Sequence, residues 1–235
     1  MRFSQIPKTL FLIFLMGGMG ACIAVGELVE ETQTVELGEA ESVELDLDIG
    51  AGELKVQGGA SELMEGYFVY NIERWKPEIL YSVAGNRGML KVKQGQCSSL
   101  TIGNTRNKWN ITVSNDVPLD IKVDFGAGAG KLDLRGLILN SLDIDMGVGE
   151  LKVDLSGEQK QSLNVSVDGG VGSATIYLPV DVGVRVEVDG GIGSVNARGM
   201  FKKRGVYTND AYGKTEVTID VDVDAGVGSI DLILR

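Results

Sequence analysis

The chain has 235 residues, 43% of them hydrophobic, with 33 glycines, four prolines and no histidine. That is enough for one or two domains with a sizeable core, and the richness in Gly, Val, Ile and Leu favours strands and tight corners over helices. A net charge of −11 makes the surface repel nucleic acid and anionic lipid headgroups, and the lack of histidine excludes imidazole-based triads and His-ligated zinc.

Residues 1–21 read as an export signal. Arg2 and Lys8 supply the positive end, and Leu10 to Met16 supply an apolar core too short to span a bilayer. Met19-Gly20-Ala21-Cys22 is similar to a bacterial lipoprotein lipobox, and that resemblance implies cleavage before Cys22 and its thioether lipidation. The mature chain then carries a charge of −13 and is held to a membrane through Cys22. Cys97 is left unpaired, so no intramolecular disulfide is expected. Residues 22–42 contain Glu27, Glu30, Glu31, Glu36, Glu39 and Glu41 with little apolar periodicity, the composition of an acidic, solvated tether.

From Val43 a new pattern takes over. Asp-x-Gly-x-Gly begins at Asp48, Asp124, Asp145, Asp168, Asp189 and Asp224, and the steps from Asp124 to Asp189 are 21, 23 and 21 residues. Such a period in a strand-rich chain points to one coil of a solenoid per repeat. Within each copy the apolar positions alternate and then change parity. Leu45, Leu47 and Ile49 give way to Leu54 and Val56; Leu142, Ile144, Met146 and Val148 to Leu151, Val153 and Leu155; Val221, Val223 and Val227 to Ile230, Leu232 and Leu234. A parity change consumes one residue at a bulge or corner, a place that suits glycine. Each unit is therefore predicted to be strand, glycine corner, strand, with the Asp pointing outward.

Residues 43–118 form an N-terminal β region. Its stretch from 60 to 118 holds Tyr67, Phe68, Tyr70, Trp75, Tyr81 and Trp109 and reads as a β-meander, with strands at Tyr67 to Glu73, Glu78 to Ala84, Met89 to Val92 and Lys108 to Ser114. Its aromatics are expected to serve as core or cap. Residues 119–235 are the solenoid repeats, interrupted by a loop at 199–215 with Lys202-Lys203-Arg204, the one basic cluster visible in the linear sequence.

These residues also carry a family resemblance. Trp109-Asn110-Ile111-Thr112-Val113, Val117-Pro118-Leu119-Asp120-Ile121, Phe125-Gly126-Ala127-Gly128, Leu132-Asp133-Leu134-Arg135-Gly136-Leu137 and Met146-Gly147-Val148-Gly149 resemble the bacterial toast-rack envelope proteins. The C-terminal repeats of those proteins are similar to the C-terminal domain of LiaF-like cell-envelope stress proteins. Over Val43 to Arg235 the resemblance implies an extracytoplasmic location and an all-β fold. That fold is a right-handed, single-stranded β-solenoid, or β-helix, behind an N-terminal β-meander or cap.

The candidate cation ligands are Asp124, Asp145, Asp168, Asp189 and Asp224, which neighbouring coils would place about 4.8 Å apart. Hydrogen bonds from the following turn, or a bound Ca²⁺, would offset their repulsion. Gly-Gly-x-Gly-x-Asp calcium solenoids differ here: Asp168-Gly169-Gly170-Val171-Gly172-Ser173-Ala174 has Ala174 at the metal-binding position. Gly126-Ala127-Gly128-Ala129-Gly130-Lys131-Leu132 lacks the phosphate-loop spacing and its Ser or Thr, so it reads as another corner. Glu150, Lys152 and Asp154 on one outward face, with Asp143 and Asp145 on the preceding one, are the residues a polysaccharide-cleaving β-helix enzyme would use. The expected function is a lipid-anchored envelope protein without catalytic residues or cofactor, binding an envelope protein or polysaccharide in stress sensing or adhesion. A Ca²⁺-binding adhesin module and a polysaccharide-acting enzyme are the alternatives.

Overall fold

The computed structural model describes residues 25–95 and 104–235. The export segment, the lipidation candidate Cys22 and Cys97 lie outside the described residues. One thirteen-stranded sheet carries the chain. Its frame is six strands of 16 or 17 residues: β2 (Ser42–Gly58), β7 (Pro118–Asp133), β8 (Ile138–Asp154), β9 (Leu163–Leu178), β10 (Gly183–Arg198) and β13 (Thr218–Leu234). They lie parallel, in the spatial order β2, β7, β8, β9, β13, β10.

Parallel pairing forces these strands to fold in half. A straight β7 would run on the order of 50 Å, yet only residues 134–137 lead from its end to the start of β8. Those residues reach at most about 18 Å. The two ends must therefore lie close together, and the bend that brings them there is the glycine corner. Each coil is a first leg, a corner, a second leg and a short return, which makes the fold a β-solenoid. The core fills the space between the legs. Leu142, Ile144 and Met146 enter it from one leg of β8, Leu151 and Val153 from the other, and Leu155 from just beyond its end. Each such side chain contributes roughly 1.5–3 kcal/mol before conformational entropy is subtracted.

Both glycines of the repeat are dictated by how closely one coil approaches the next. A Cβ on Gly147 would lie 2.4 Å from the Gly126 carbonyl oxygen, and one on Gly149 only 1.9 Å from that of Gly128. Gly149 also has φ +147°, a conformation that side chains rarely tolerate. The corner corrects one expectation. Val148 and Val227, placed by alternation in the buried rows, are 53% and 48% exposed, and Val171 at the equivalent position is 49% exposed. The residue between the two glycines belongs to the bend itself, so it points away from the core.

The coils also depart from chain order, because β13 is inserted between β9 and β10. Its second leg offers Ile230 and Leu232, both buried, whereas the second leg of β10 offers Val195 and Ala197, both partly buried. The better-filled coil lies inside and the sparser one ends the stack.

At the other end the expected meander is built differently. Strands β4 (Pro77–Ala84), β5 (Arg87–Gln94) and β6 (Asn107–Val113) are present where alternation predicts them, whereas β3 (Met64–Tyr70) lies three residues before the expected Tyr67 to Glu73, and Glu73 opens a 3-10 turn instead. Consecutive β3 and β4 do not pair with each other. Instead β5 runs parallel to the first leg of β2 and β6 parallel to its second leg, together forming a broken coil. β4 then adds to β5 and β3 to β6, both antiparallel. The Phe68 and Trp109 rings, both fully buried, meet edge to face at 5.5 Å.

The tether reading of residues 22–42 is corrected over Val29–Val35. β1 (Val29–Val35) pairs antiparallel with β3 along its whole length. Its side chains remain mostly exposed, as the glutamates require, but an edge strand needs no fully apolar face to satisfy its backbone. The 199–215 loop holds a hairpin, β11 (Phe201–Lys203) and β12 (Val206–Thr208), whose second strand pairs with β10. Buried Asn209 follows it, accepting from Val184 N at 2.9 Å and donating to Val182 O at 2.7 Å. That excursion is an end cap.

Candidate functional site

Alternation that buries one set of side chains turns the other set outward, and the parallel register stacks equivalent positions of successive coils into rows. On the first legs Asp48, Asp124, Asp145, Asp168, Asp224 and Asp189 are consecutive register partners. A groove of about 780 Å³ follows this row across all six coils. Its floor is the first glycine of each corner, including Gly126, Gly147 and Gly170. All five candidate cation ligands, Asp124, Asp145, Asp168, Asp189 and Asp224, thus lie in one line, with Asp48 extending it.

Carboxylates at that spacing repel by roughly 0.9 kcal/mol per adjacent pair in bulk water. Solvent reaches the row, and cations stand at one end: Lys93 is in register with Asp48, and Lys122 Nζ is 3.6 Å from Asp124. The local turn bond expected of these aspartates is seen instead at Asp154, whose Oδ1 accepts from Ser156 N at 3.1 Å. Among the described residues, no group of three or more His, Cys, Asp or Glu side chains is arranged to hold a metal ion. The row is a line of single carboxylates along the groove, not a cage.

The candidate hydrolytic set disperses. Glu150 and Lys152 pair with each other at 2.5 Å, and the Glu150 hydrogen bond holds the Lys152 ammonium above the usual lysine range. Asp154 turns out to be buried, at 8% exposure. It is held by the Ser156 hydroxyl at 2.6 Å, by Arg135 Nε at 3.3 Å and by Arg235. Arg235, the residue after β13, reaches it across the Tyr177 ring, whose centroid lies 4.0 Å from its Cζ. Asp154 is a structural clamp between coils. Asp143 and Asp145 are exposed on the first leg, on the opposite side of the corner from Glu150 and Lys152.

The second legs display a feature that the linear sequence conceals. Lys55, Lys131 and Lys152 are successive register partners in β2, β7 and β8. Lys108 on β6 is beside them, paired with Glu53 at 2.5 Å. Ala129 and Gly130 leave a hollow of about 320 Å³ among these side chains. The clue was present in the sequence: each lysine stands seven residues after the Asp of its copy, at Lys55, Lys131 and Lys152. The same offset gives Thr175, Asn196 and Asp231 in the remaining copies, so the cationic row stops at β8. One face of the coil is thus acidic and the other carries a lysine line, and Lys202-Lys203-Arg204 is not the molecule's only basic cluster.

With this geometry in hand, relatives become informative. The model described as the N-terminal domain of toast_rack matches residues 24–177. The chain belongs to the toast-rack family. A second model, cell wall-active antibiotics response LiaF, C-terminal, matches residues 127–232 of this toast-rack chain. A candidate cell adhesion protein from Clostridium sporogenes shares 38% identity with it, aligning over 89% of this chain and 100% of the other at a TM-score of 0.85. Candidate adhesins from Bacteroides fragilis and Parabacteroides merdae share 13% and 12% identity. Each aligns over 88% of this chain and 97% of its own, with TM-scores of 0.29 and 0.25. No curated protein matches the toast-rack chain. Among the described residues, no helix is long and apolar enough to cross a membrane.

Proposed function

We propose that the protein is a lipid-anchored, non-enzymatic binding module of the bacterial envelope, fixed through Cys22 and engaging an envelope polysaccharide or protein in adhesion. The observation that carries this reading is the in-register display of like residues on the outer faces of one continuous sheet. Rows of that kind offer repeated, shallow contacts to an extended partner, whereas catalysis needs dissimilar groups converging on one atom. Here Glu150 and Lys152 neutralise each other and Asp154 is committed to Arg135 and Arg235. The likeness to a candidate cell adhesion protein at 38% identity supports adhesion over stress sensing.

The anchor is tested by metabolic palmitate labelling. Label should enter the wild-type protein and be lost in Cys22→Ser; equal labelling of both would remove the anchor from this account. The module itself is tested by crosslinking in intact cells. An envelope component should be trapped reproducibly, and turnover of a cell-wall or capsular glycan by the purified protein would contradict the non-enzymatic reading.

A further inference from the structure

The lysine line has the character of a ligand site. Lys55, Lys131 and Lys152 are exposed and follow one another in register, on the order of 5 Å apart, so three positive charges lie along a line of roughly 10 Å. Glu53 and Glu150 are engaged by Lys108 and Lys152. Among the described residues, Lys55 and Lys131 form no ion pair with a carboxylate within 4.0 Å. Folding has stacked like charges without neutralising two of them, over a hollow that Ala129 and Gly130 keep open. Asn110, in register with Lys55, adds an uncharged hydrogen-bonding group at the rim.

We propose that this hollow binds a linear polyanion, with Lys55 and Lys131 each meeting one charged group of the chain and Lys152, paired with Glu150, bordering the line. The shape of the charge distribution favours a thread over a plane. A flat anionic bilayer would face a molecule of net charge −11, including the aspartate row, whereas a thin polymer meets only the lysine line. All four cations around the hollow are lysines, which act as mobile point charges. Arginine would present the rigid fork suited to bidentate capture of one carboxylate or phosphate, so lysines suit singly charged groups repeated along a chain. This inference rests on the binding-module reading and names its ligand class.

The test is equilibrium binding of fluorescent poly(glycerol phosphate), about ten repeats long, to the purified full chain at about 50 mM salt. The wild type is compared with Lys55→Gln/Lys131→Gln and with Lys202→Gln/Lys203→Gln. The first pair should weaken binding roughly tenfold or more and lower the salt slope by nearly two ions, while the cap-loop pair stays within about twofold of wild type. All the substituted side chains are exposed, so the variants should melt like the parent. If melting differs, the single variants Lys55→Gln and Lys131→Gln should each show part of that loss. Equal affinity of the variants, no saturable binding by the wild type, or preferential binding to phosphatidylglycerol vesicles would overturn the proposal. If crosslinking in cells still traps an envelope component, that failure removes the ligand class and leaves the binding-module reading standing.

Discussion

The buried side chain of Asn107 donates from Nδ2 to the carbonyl oxygen of Ala51 at 2.8 Å, where a coil would otherwise lie against the corner of β2. Gln94 completes the substitution: its Oε1 accepts from Ala51 N at 3.3 Å and from Asn107 Nδ2 at 3.0 Å. Asn107 Oδ1 in turn accepts from the Trp109 indole at 3.1 Å. Two amide side chains thus take over the corner contacts at the broken coil, and they fix the aromatic cap at the same time. Asn107→Leu should therefore destabilise the protein by about 1–3 kcal/mol, because it strands buried polar partners. Denaturant unfolding would check this; a loss below about 0.5 kcal/mol would show that the cap does not depend on this residue.

Corner glycines separate by mechanism. Gly149→Ala meets both a carbonyl oxygen at 1.9 Å and an unfavourable φ, and should cost about 3–6 kcal/mol. Gly38→Ala, at φ +62° with nothing within 4 Å, should cost only about 1–2 kcal/mol. Thermal melts of the two variants rank them directly.

The assignment of faces is tested by a contrast within β8. Ile144, 1% exposed, lines the core, so Ile144→Asp should cost more than about 4 kcal/mol and abolish cooperative melting. Val148, only four residues on, is 53% exposed, and Val148→Ser should change stability by no more than about 0.5 kcal/mol. Native-like melting of the Asp variant would mean that the faces are reversed.

Acid stability follows from the pair at the end of β7. Arg135 grips Asp133 through two hydrogen bonds, 2.7 and 2.6 Å long, and holds its carboxyl below the ordinary value of 3.8. A carboxyl depressed in the folded state lends stability that is fully present above that ordinary value. The contribution is lost as pH falls through the lower, folded value. Unfolding free energy measured from pH 6 down to pH 2 should decline less steeply below pH 4 in Arg135→Gln than in the wild type. Parallel curves would remove the pair from acid stability; the effect is modest because half of the Arg135 side chain is exposed.

The repeats make the coil legible in the sequence itself. Alternation located the legs, as at Leu142 and Ile144 or Leu151 and Val153, and the parity change located the corner. What was not legible depends on register and on end effects. Val148 could not be separated from its row by alternation, because a bend redirects one residue without changing its hydrophobicity. The lysine line was hidden because Lys55 and Lys131 are 76 positions apart in sequence and become neighbours only when β7 pairs with β2. The inserted β13 could not be foreseen, since periodicity specifies coils and not their stacking order. The strand at Val29–Val35 was masked by its glutamates, because an edge strand draws its stability from backbone pairing.

For the aspartate row, screening and specific binding predict different salt responses. Because Asp145, Asp168, Asp189 and Asp224 are exposed and form no metal cage, sodium chloride should raise the melting temperature by relieving their repulsion. Millimolar Ca²⁺ at matched ionic strength should add no more than about 1 °C. A markedly larger rise, reversed by chelation and lost in Asp145→Asn, would establish a calcium site on the row.

The central claim is that the outer faces of this sheet bind an envelope partner, and site-specific photocrosslinking in intact cells tests it most directly. Probes at Asn110 and Thr175, which flank the lysine line, should yield a discrete envelope adduct that is lost when Lys55 and Lys131 are replaced by Gln. Absence of an adduct from every outward position on both faces, in cells where the protein is exported and folded, would contradict the account.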